Sequence, residues 1–180
     1  MLIIETERLQ LRTVSPDDAA FYLELVNEPS WIRFIGDRGI RTVDAARSAI
    51  LDGPVAMYER LGYSLYLVQR RSDGVLMGMC GLIKRDVLPD TDIGYAISPR
   101  YWGHGYAYEA AAAVVAHARG ALGLPRLMAI TSPDNEASIQ LLGKLGMQFI
   151  RRTQLDGWKE DSNVYRLEFG AAQGGSPTVT

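Results

Sequence analysis

Arg100-Tyr-Trp-Gly103-His-Gly105-Tyr-Ala107 is the stretch on which the fold turns. Before it, Thr91–Ile97 alternates, with Ile93, Tyr95 and Ile97 on one side and Asp92, Gly94 and Ala96 on the other; that period predicts a strand. After it, Ala107, Ala110, Ala111, Val114, Val115 and Ala118 recur as the apolar stripe of an amphipathic helix running to about Gly120. The stripe is mostly alanine, so this helix can lie close on a sheet. A strand, a glycine turn and a helix make a ready phosphate cradle. The first helical amides have no internal partners, the helix dipole favours negative charge there, and the glycines permit close ligand approach. Arg100 adds a positive charge nearby. The dinucleotide fingerprint fails, because its third glycine would fall at Tyr108. The P-loop also fails, because the Gly143-Lys144 pair is followed by Leu145. An ordinary tight turn stays equally open on this stretch alone.

Moving outward toward the amino terminus, Tyr63–Arg70 and Val75–Lys84 flank Ser72-Asp73-Gly74 and predict a hairpin. Leu88-Pro89-Asp90 turns the chain again into Thr91–Ile97. Arg8–Arg12 alternates as a half-buried strand, and Ser15-Pro16-Asp17-Asp18 starts a helix toward Asn27. Pro29–Arg41 reads as a loop or broken short helix. Thr42–Leu61 reads as a second helical stretch interrupted at Gly53-Pro54. On the carboxyl side, Arg126–Thr131 is a strand and Asn135–Leu145 a helix ending at Gly146. Met147–Thr153 and Asn163–Phe169 are closing strands around Asp156-Gly157. This order implies an α/β (α+β) domain over residues 1–169, with helices on both faces of a mixed sheet. Residues 170–180 are small and polar and read as a flexible tail.

Composition narrows the class. The 180 residues carry 19 Lys plus Arg against 21 Asp plus Glu, a net charge of −2, which argues against the basic footprint of a nucleic-acid binder. One cysteine, Cys80, excludes an intrachain disulfide and a Cys-rich zinc site, and His104 and His117 are too far apart for a helical metal pair, so no metal is expected. Met1-Leu-Ile-Ile-Glu5 is too short an apolar run for a secretory signal, and Ala110–Ala116 is too short to span a bilayer. A cytoplasmic protein with no membrane partner is expected. No Gly-x-Ser-x-Gly motif occurs, which disfavours a serine hydrolase.

Four segments in order carry a resemblance to the GNAT superfamily of acyl-CoA-dependent N-acyltransferases. Ile97–Ala107 resembles its pyrophosphate-binding motif, and Asp92-Ile-Gly-Tyr-Ala-Ile97 the strand before it. Asn135-Glu-Ala-Ser138-Ile-Gln-Leu-Leu-Gly-Lys-Leu-Gly146 resembles the second half of the cofactor site. Glu5-Thr-Glu-Arg-Leu-Gln-Leu-Arg12 is typical of the branch with the ribosomal-protein N-terminal (alanine) acetyltransferases. The similarity covers roughly residues 5–169. It implies a mostly antiparallel sheet of six to seven strands, splayed between the fourth and fifth, with acetyl-CoA as cosubstrate. Pantetheine would lie in the gap along Ile97 and Ser98. Pyrophosphate would rest on the amides of Gly103, His104, Gly105, Tyr106 and Ala107, near Arg100. Asn135 matches a pantetheine contact; an asparagine there is also a good helix cap.

The implied reaction is direct attack of an amine on the thioester in a ternary complex. The tyrosine that many members use to protonate the departing thiolate aligns with Leu142 here, so the sequence departs from that pattern. Ser138, one turn earlier, matches the serine of the N-terminal acetyltransferase branch. It shares a helix face with Leu141 and Leu142; a contact with Asn135 or the helix backbone is the alternative. Asp92 sits where members often carry a carboxylate that relays a proton through water, and a solvated edge residue is its alternative. Trp31, Phe34 and Arg38 fall in the segment that walls the acceptor pocket, or else pack the first helices. The acceptor would be a small-molecule amine or a protein amino terminus, and members commonly pair, so a homodimer is possible. A non-catalytic CoA-binding or regulatory module, or an interaction protein that kept the fold, are the rival readings.

Overall fold

The computed structural model describes residues 1–170; from Ala171 onward the predicted tail lies outside the described residues. Eight strands form one sheet in the order β1-β2-β3-β4-β5-β6-β8-β7. They are β1 (Leu2–Glu5), β2 (Leu9–Thr13), β3 (Leu65–Arg70), β4 (Leu76–Ile83), β5 (Asp92–Ile97), β6 (Arg126–Thr131), β7 (Gln148–Gln154) and β8 (Asp161–Glu168). The sequence predicts one strand fewer. Only Leu2, Ile3 and Ile4 of β1 are apolar, too few to show a period, and pairing with β2 makes the strand.

Every neighbouring pair is antiparallel except β5 and β6, which run parallel and are bridged at one position, Asp92 opposite Met128. The strands therefore part beyond Asp92. Counted without β1, this is the predicted splay between the fourth and fifth strands. Backbone groups alternate sides along a paired strand. The Met128 amide donates to the Thr91 carbonyl, whereas the Ser98 amide donates to Met77 on β4. By that alternation the backbone of Ile93, Tyr95 and Ile97 faces the gap.

The helices are α1 (Ala19–Val26), α2 (Pro29–Phe34), α3 (Val43–Ile50), α4 (Ala56–Leu61), α5 (Tyr106–Arg119) and α6 (Glu136–Lys144). The two faces of the sheet hold separate cores. On β3, Tyr66 and Val68 pack with Ala110, Ala111, Val114 and Ala118 of α5 and Leu142 of α6. Leu67 between them points the other way, toward Tyr22 and Leu25 of α1 and Ala46 and Ile50 of α3. The alanine face of α5 is buried, as its sequence implies. The predicted break at Gly53-Pro54 is a π-helical turn, Leu51–Val55, joining α3 to α4 without a stop. A wider turn accommodates the missing proline N–H. The broken early segment contains α2, started by Pro29 at its first turn. No helix among the described residues is long and apolar enough to cross a membrane.

Candidate active site

The gap between β5 and β6 opens into a cleft of about 780 Å³, within the roughly 300–1,000 Å³ usual for small-molecule sites. Ile97, Gly103, Gly105, Tyr106, Ala107, Asn135, Ser138, Asp92, Trp31, Phe34 and Arg38 all line it. Residues more than a hundred positions apart thus meet on one surface. Ser98, Arg100 and His104 do not line it. Ser98 is buried and donates its hydroxyl to Glu28 Oε1 at 3.2 Å. Arg100 and the His104 side chain are exposed.

The glycine turn is shaped for an anion. Gly103 and Gly105 both have φ of +78°, a left-handed conformation that side chains resist. Gly105 caps α5 at its amino end, so the Tyr106, Ala107 and Tyr108 amides start the helix without intrahelical partners at residues that line the cleft. The cation built into this turn is Arg8, not Arg100. Arg8 Nη1 donates to the His104 carbonyl at 2.9 Å, and its guanidinium lies 4.5 Å from the Tyr106 ring centre. Arg8 is held in turn by Glu109, whose carboxylate accepts from Arg8 Nε at 2.6 Å, the Arg8 amide at 2.9 Å and the Thr6 hydroxyl at 2.6 Å. Burial works to raise the Glu109 pKa, but these donors outweigh it and hold it below the ordinary glutamate value. The opening Thr6-Glu-Arg8 segment is therefore a strut behind the glycine turn. A carboxylate in the first turn of a helix suits the dipole on its own; the complementary Arg8 lies 101 positions away, beyond any local pattern.

At the start of α6, Asn135 Oδ1 accepts from the Ser138 amide at 3.2 Å. The cap involves the Ser138 backbone and leaves its hydroxyl free. That hydroxyl meets the phenol of Tyr95, 2.7 Å away across the gap. Tyr95 also lines the cleft and was visible in the sequence only as an alternating strand residue. Leu142, where many members place a tyrosine, is buried apolar core.

Asp92 is not a solvated edge residue: it is 1 % exposed. Arg85 Nε lies 3.2 Å from both its oxygens and 5.7 Å separates the Arg85 guanidinium from the Trp158 ring centre. Burial pushes the Asp92 carboxyl up to about 6 despite the opposing pull of Arg85, so it exchanges a proton near neutral pH. The cleft also has aromatic and apolar lining, Trp31, Phe34, Ile35 and Trp158, together with Glu28 and Arg38. Trp31 is both cleft lining and core, being 6 % exposed. An exposed Arg33–Asp134 pair at 3.2 Å links α2 to the loop before α6.

Cys80 is buried with its thiol pKa raised by that burial, which makes it an inert core residue. His117 packs edge-on against Tyr66. Among the described residues, no group of three or more His, Cys, Asp or Glu is placed to hold a metal ion.

Residues 8–148 match the family profile of the acetyltransferase (GNAT) domain. The chain is 32% identical over 170 residues to "Uncharacterized N-acetyltransferase YoaA" of Bacillus subtilis (strain 168), covering 92% of this chain and 96% of that protein. Among solved structures, the acetyltransferase from Agrobacterium tumefaciens str. C58 superposes with a TM-score of 0.77 at 25% identity, over 92% of this chain and 93% of that one. RimL, a ribosomal L7/L12 alpha-N-protein acetyltransferase solved in complex with coenzyme A, shares the fold with a TM-score of 0.79 at 18% identity, covering 93% and 98%. A parallel β5–β6 pair that parts over a glycine-capped helix, and a profile match across most of the chain, have one common reading: this protein belongs to the GNAT acetyltransferases.

Proposed function

We propose that the chain transfers the acetyl group of acetyl-CoA to a primary amine by direct attack in a ternary complex. The observation that carries this is the continuity of the cleft, which runs from the amide-lined turn at Gly103–Tyr108, along the gap beside β5, to Ser138 and Asp92. Diphosphate at the turn, an extended pantetheine arm against the free edge of β5, and the thioester near Ser138 follow that path in chemical order. Asn135 retains its side-chain NH2 for the arm while its carbonyl caps α6. The fold neighbour RimL holds coenzyme A, which supports the same donor here.

In this reading Asp92 accepts the amine proton through water and Ser138 protonates the departing thiolate. Two such groups on opposite walls fit general acid–base catalysis. Neutralising an α-amine of pKa ~7.7 at pH 7 costs about 1 kcal/mol, against about 4.6 kcal/mol for a lysine at ~10.4. A carboxylate of pKa about 6 suits the α-amine, and Trp31, Phe34 and Trp158 suit an apolar group beside it.

The deciding experiment is an acceptor screen of peptides with free amino termini, amino acids and small amines, following free CoA and identifying the product by mass spectrometry. Acetylated amine supports the reading. Acetyl-CoA binding with no amine acetylated identifies a CoA-binding module instead. With an accepted amine at saturation, kcat should fall about tenfold per pH unit below about pH 6, as Asp92 takes up its proton. Asp92→Asn should lower kcat and abolish that inflection. The stability signature has a defined sign. A carboxyl whose folded pKa is raised stabilises the fold when protonated and loses that contribution as pH climbs from about 4 to about 6. Chemical denaturation should therefore show wild type losing stability relative to Asp92→Asn across that window.

The strut behind the turn gives a binding prediction. Arg8→Ala removes the bonds to His104 and Glu109 and should raise the dissociation constant of CoA about tenfold by calorimetry, the scale of one charged hydrogen bond. Unchanged affinity would show that the turn holds its shape without the strut.

A further inference from the structure

The contact between Tyr95 and Ser138 is not accounted for by the family pattern, which places its tyrosine at Leu142. Here a phenol reaches the same space from the opposite wall. Tyr95 belongs to β5, Ser138 to α6, and 2.7 Å separates their hydroxyl oxygens. Two hydroxyls share one bond, so its direction decides which proton is left for chemistry. The phenol's other acceptor is the Ser138 carbonyl, at 3.3 Å. That is beyond the roughly 2.5–3.0 Å range of an O–H···O bond, whereas 2.7 Å is its most common length. Either oxygen can donate in the 2.7 Å bond, and the phenol, the stronger acid of the two hydroxyls, is the better donor to Ser138 Oγ. Burial also raises the Tyr95 pKa, so the phenol remains a donor at working pH. With the phenol as donor, the Oγ proton remains for the cleft, which Ser138 lines.

We propose that Tyr95 is a positioning residue for the transfer step: its phenol donates to Ser138 Oγ, leaves the serine proton pointing into the cleft, and stabilises the charge that develops on Oγ as that proton departs. This rests on the acetyl-transfer reading above. When the tetrahedral adduct collapses, the C–S bond breaks and its electron pair leaves on sulfur. Sulfur takes the Ser138 proton. Asp92 takes the proton lost by the attacking nitrogen and returns it to Oγ through water, so one proton passes in net from nitrogen to sulfur and the products are the amide and the free thiol.

The test is a double-mutant cycle with an amine that the wild type acetylates. Tyr95→Phe removes one oxygen and keeps the ring. It should lower kcat about tenfold while leaving KM for acetyl-CoA and the melting temperature nearly unchanged, a split that loosened packing would not produce. In a Ser138→Ala background the same change should have no further effect, because the group it positions is gone. A Tyr95→Phe enzyme with wild-type kcat, or one that lowers kcat tenfold again in the Ser138→Ala background, overturns the proposal while leaving acetyl transfer intact. A wild type that binds acetyl-CoA and acetylates nothing sinks both.

Discussion

Replacing Ser138 with alanine is expected to lower kcat by about a hundredfold, with KM for acetyl-CoA within about twofold of wild type. General acids contribute roughly 10²–10⁴ in rate, and the lower end applies here because water in an open cleft can partly replace a hydroxyl. The binding half of the site should be spared. The helix cap depends on the Ser138 backbone amide and Asn135, not on the serine side chain, and the glycine turn is at the start of α5. A fall confined to kcat marks an interaction made in the transition state. Steady-state kinetics over acetyl-CoA concentration checks this, and a Ser138→Ala enzyme with wild-type kcat would remove Ser138 from the chemistry.

Gly78→Ala is expected to damage the fold severely. A Cβ built at Gly78 falls 2.1 Å from the Ala96 carbonyl oxygen and 2.8 Å from the Ile97 Cα. Both obstacles are backbone of β5, paired with Gly78 in register, so no side chain can rotate away. The two strands must separate or β4 must bulge, at a cost on the order of 3 kcal/mol, the upper end of overpacking. The displaced strand is also a wall of the gap beside β5, so under the proposed function acetyl-CoA affinity should fall along with stability. Urea denaturation and a CoA titration of the same variant test the two effects together. Gly94 faces a flexible obstacle instead, the Ile83 side chain at 2.9 Å, and the same substitution there should be much milder. Equal losses at the two glycines would refute the backbone-clash account.

Local periodicity made most of the scaffold legible. The two-residue alternation of Asp92–Ile97 and the alanine stripe of α5 reappear as elements with the predicted faces. β1 escaped because three apolar residues hold no period, and its existence depends on pairing with β2. The site was legible wherever chemistry sits on a local motif: Gly103, Gly105, Asn135 and Ser138 line the cleft. It was illegible where two distant segments meet. Arg8 reaches His104, and Tyr95 reaches Ser138, through tertiary contacts 96 and 43 positions long. Arg100 illustrates the converse: adjacency to the turn in sequence placed a cation nearby, yet its side chain points to solvent. Burial, a three-dimensional property, was needed to show that Asp92 is not a solvated edge residue.

The lone bridge between Asp92 and Met128 has a mechanical meaning. It makes the sheet two leaves on one hinge pin, β1–β5 on one side and β6, β8 and β7 on the other. Asp92 and Tyr95 ride on the first leaf. Ser138, on the helix that follows β6, rides with the second. In the proposed function, an extended acyl donor laid between the leaves would restore hydrogen bonding along the edge of β5 and act as a temporary strand. Ligand that binds only the folded chain stabilises it by about 2.7 kcal/mol at a hundred times its dissociation constant. If acetyl-CoA occupies that gap as proposed, its supply would also set how stiff the two leaves are.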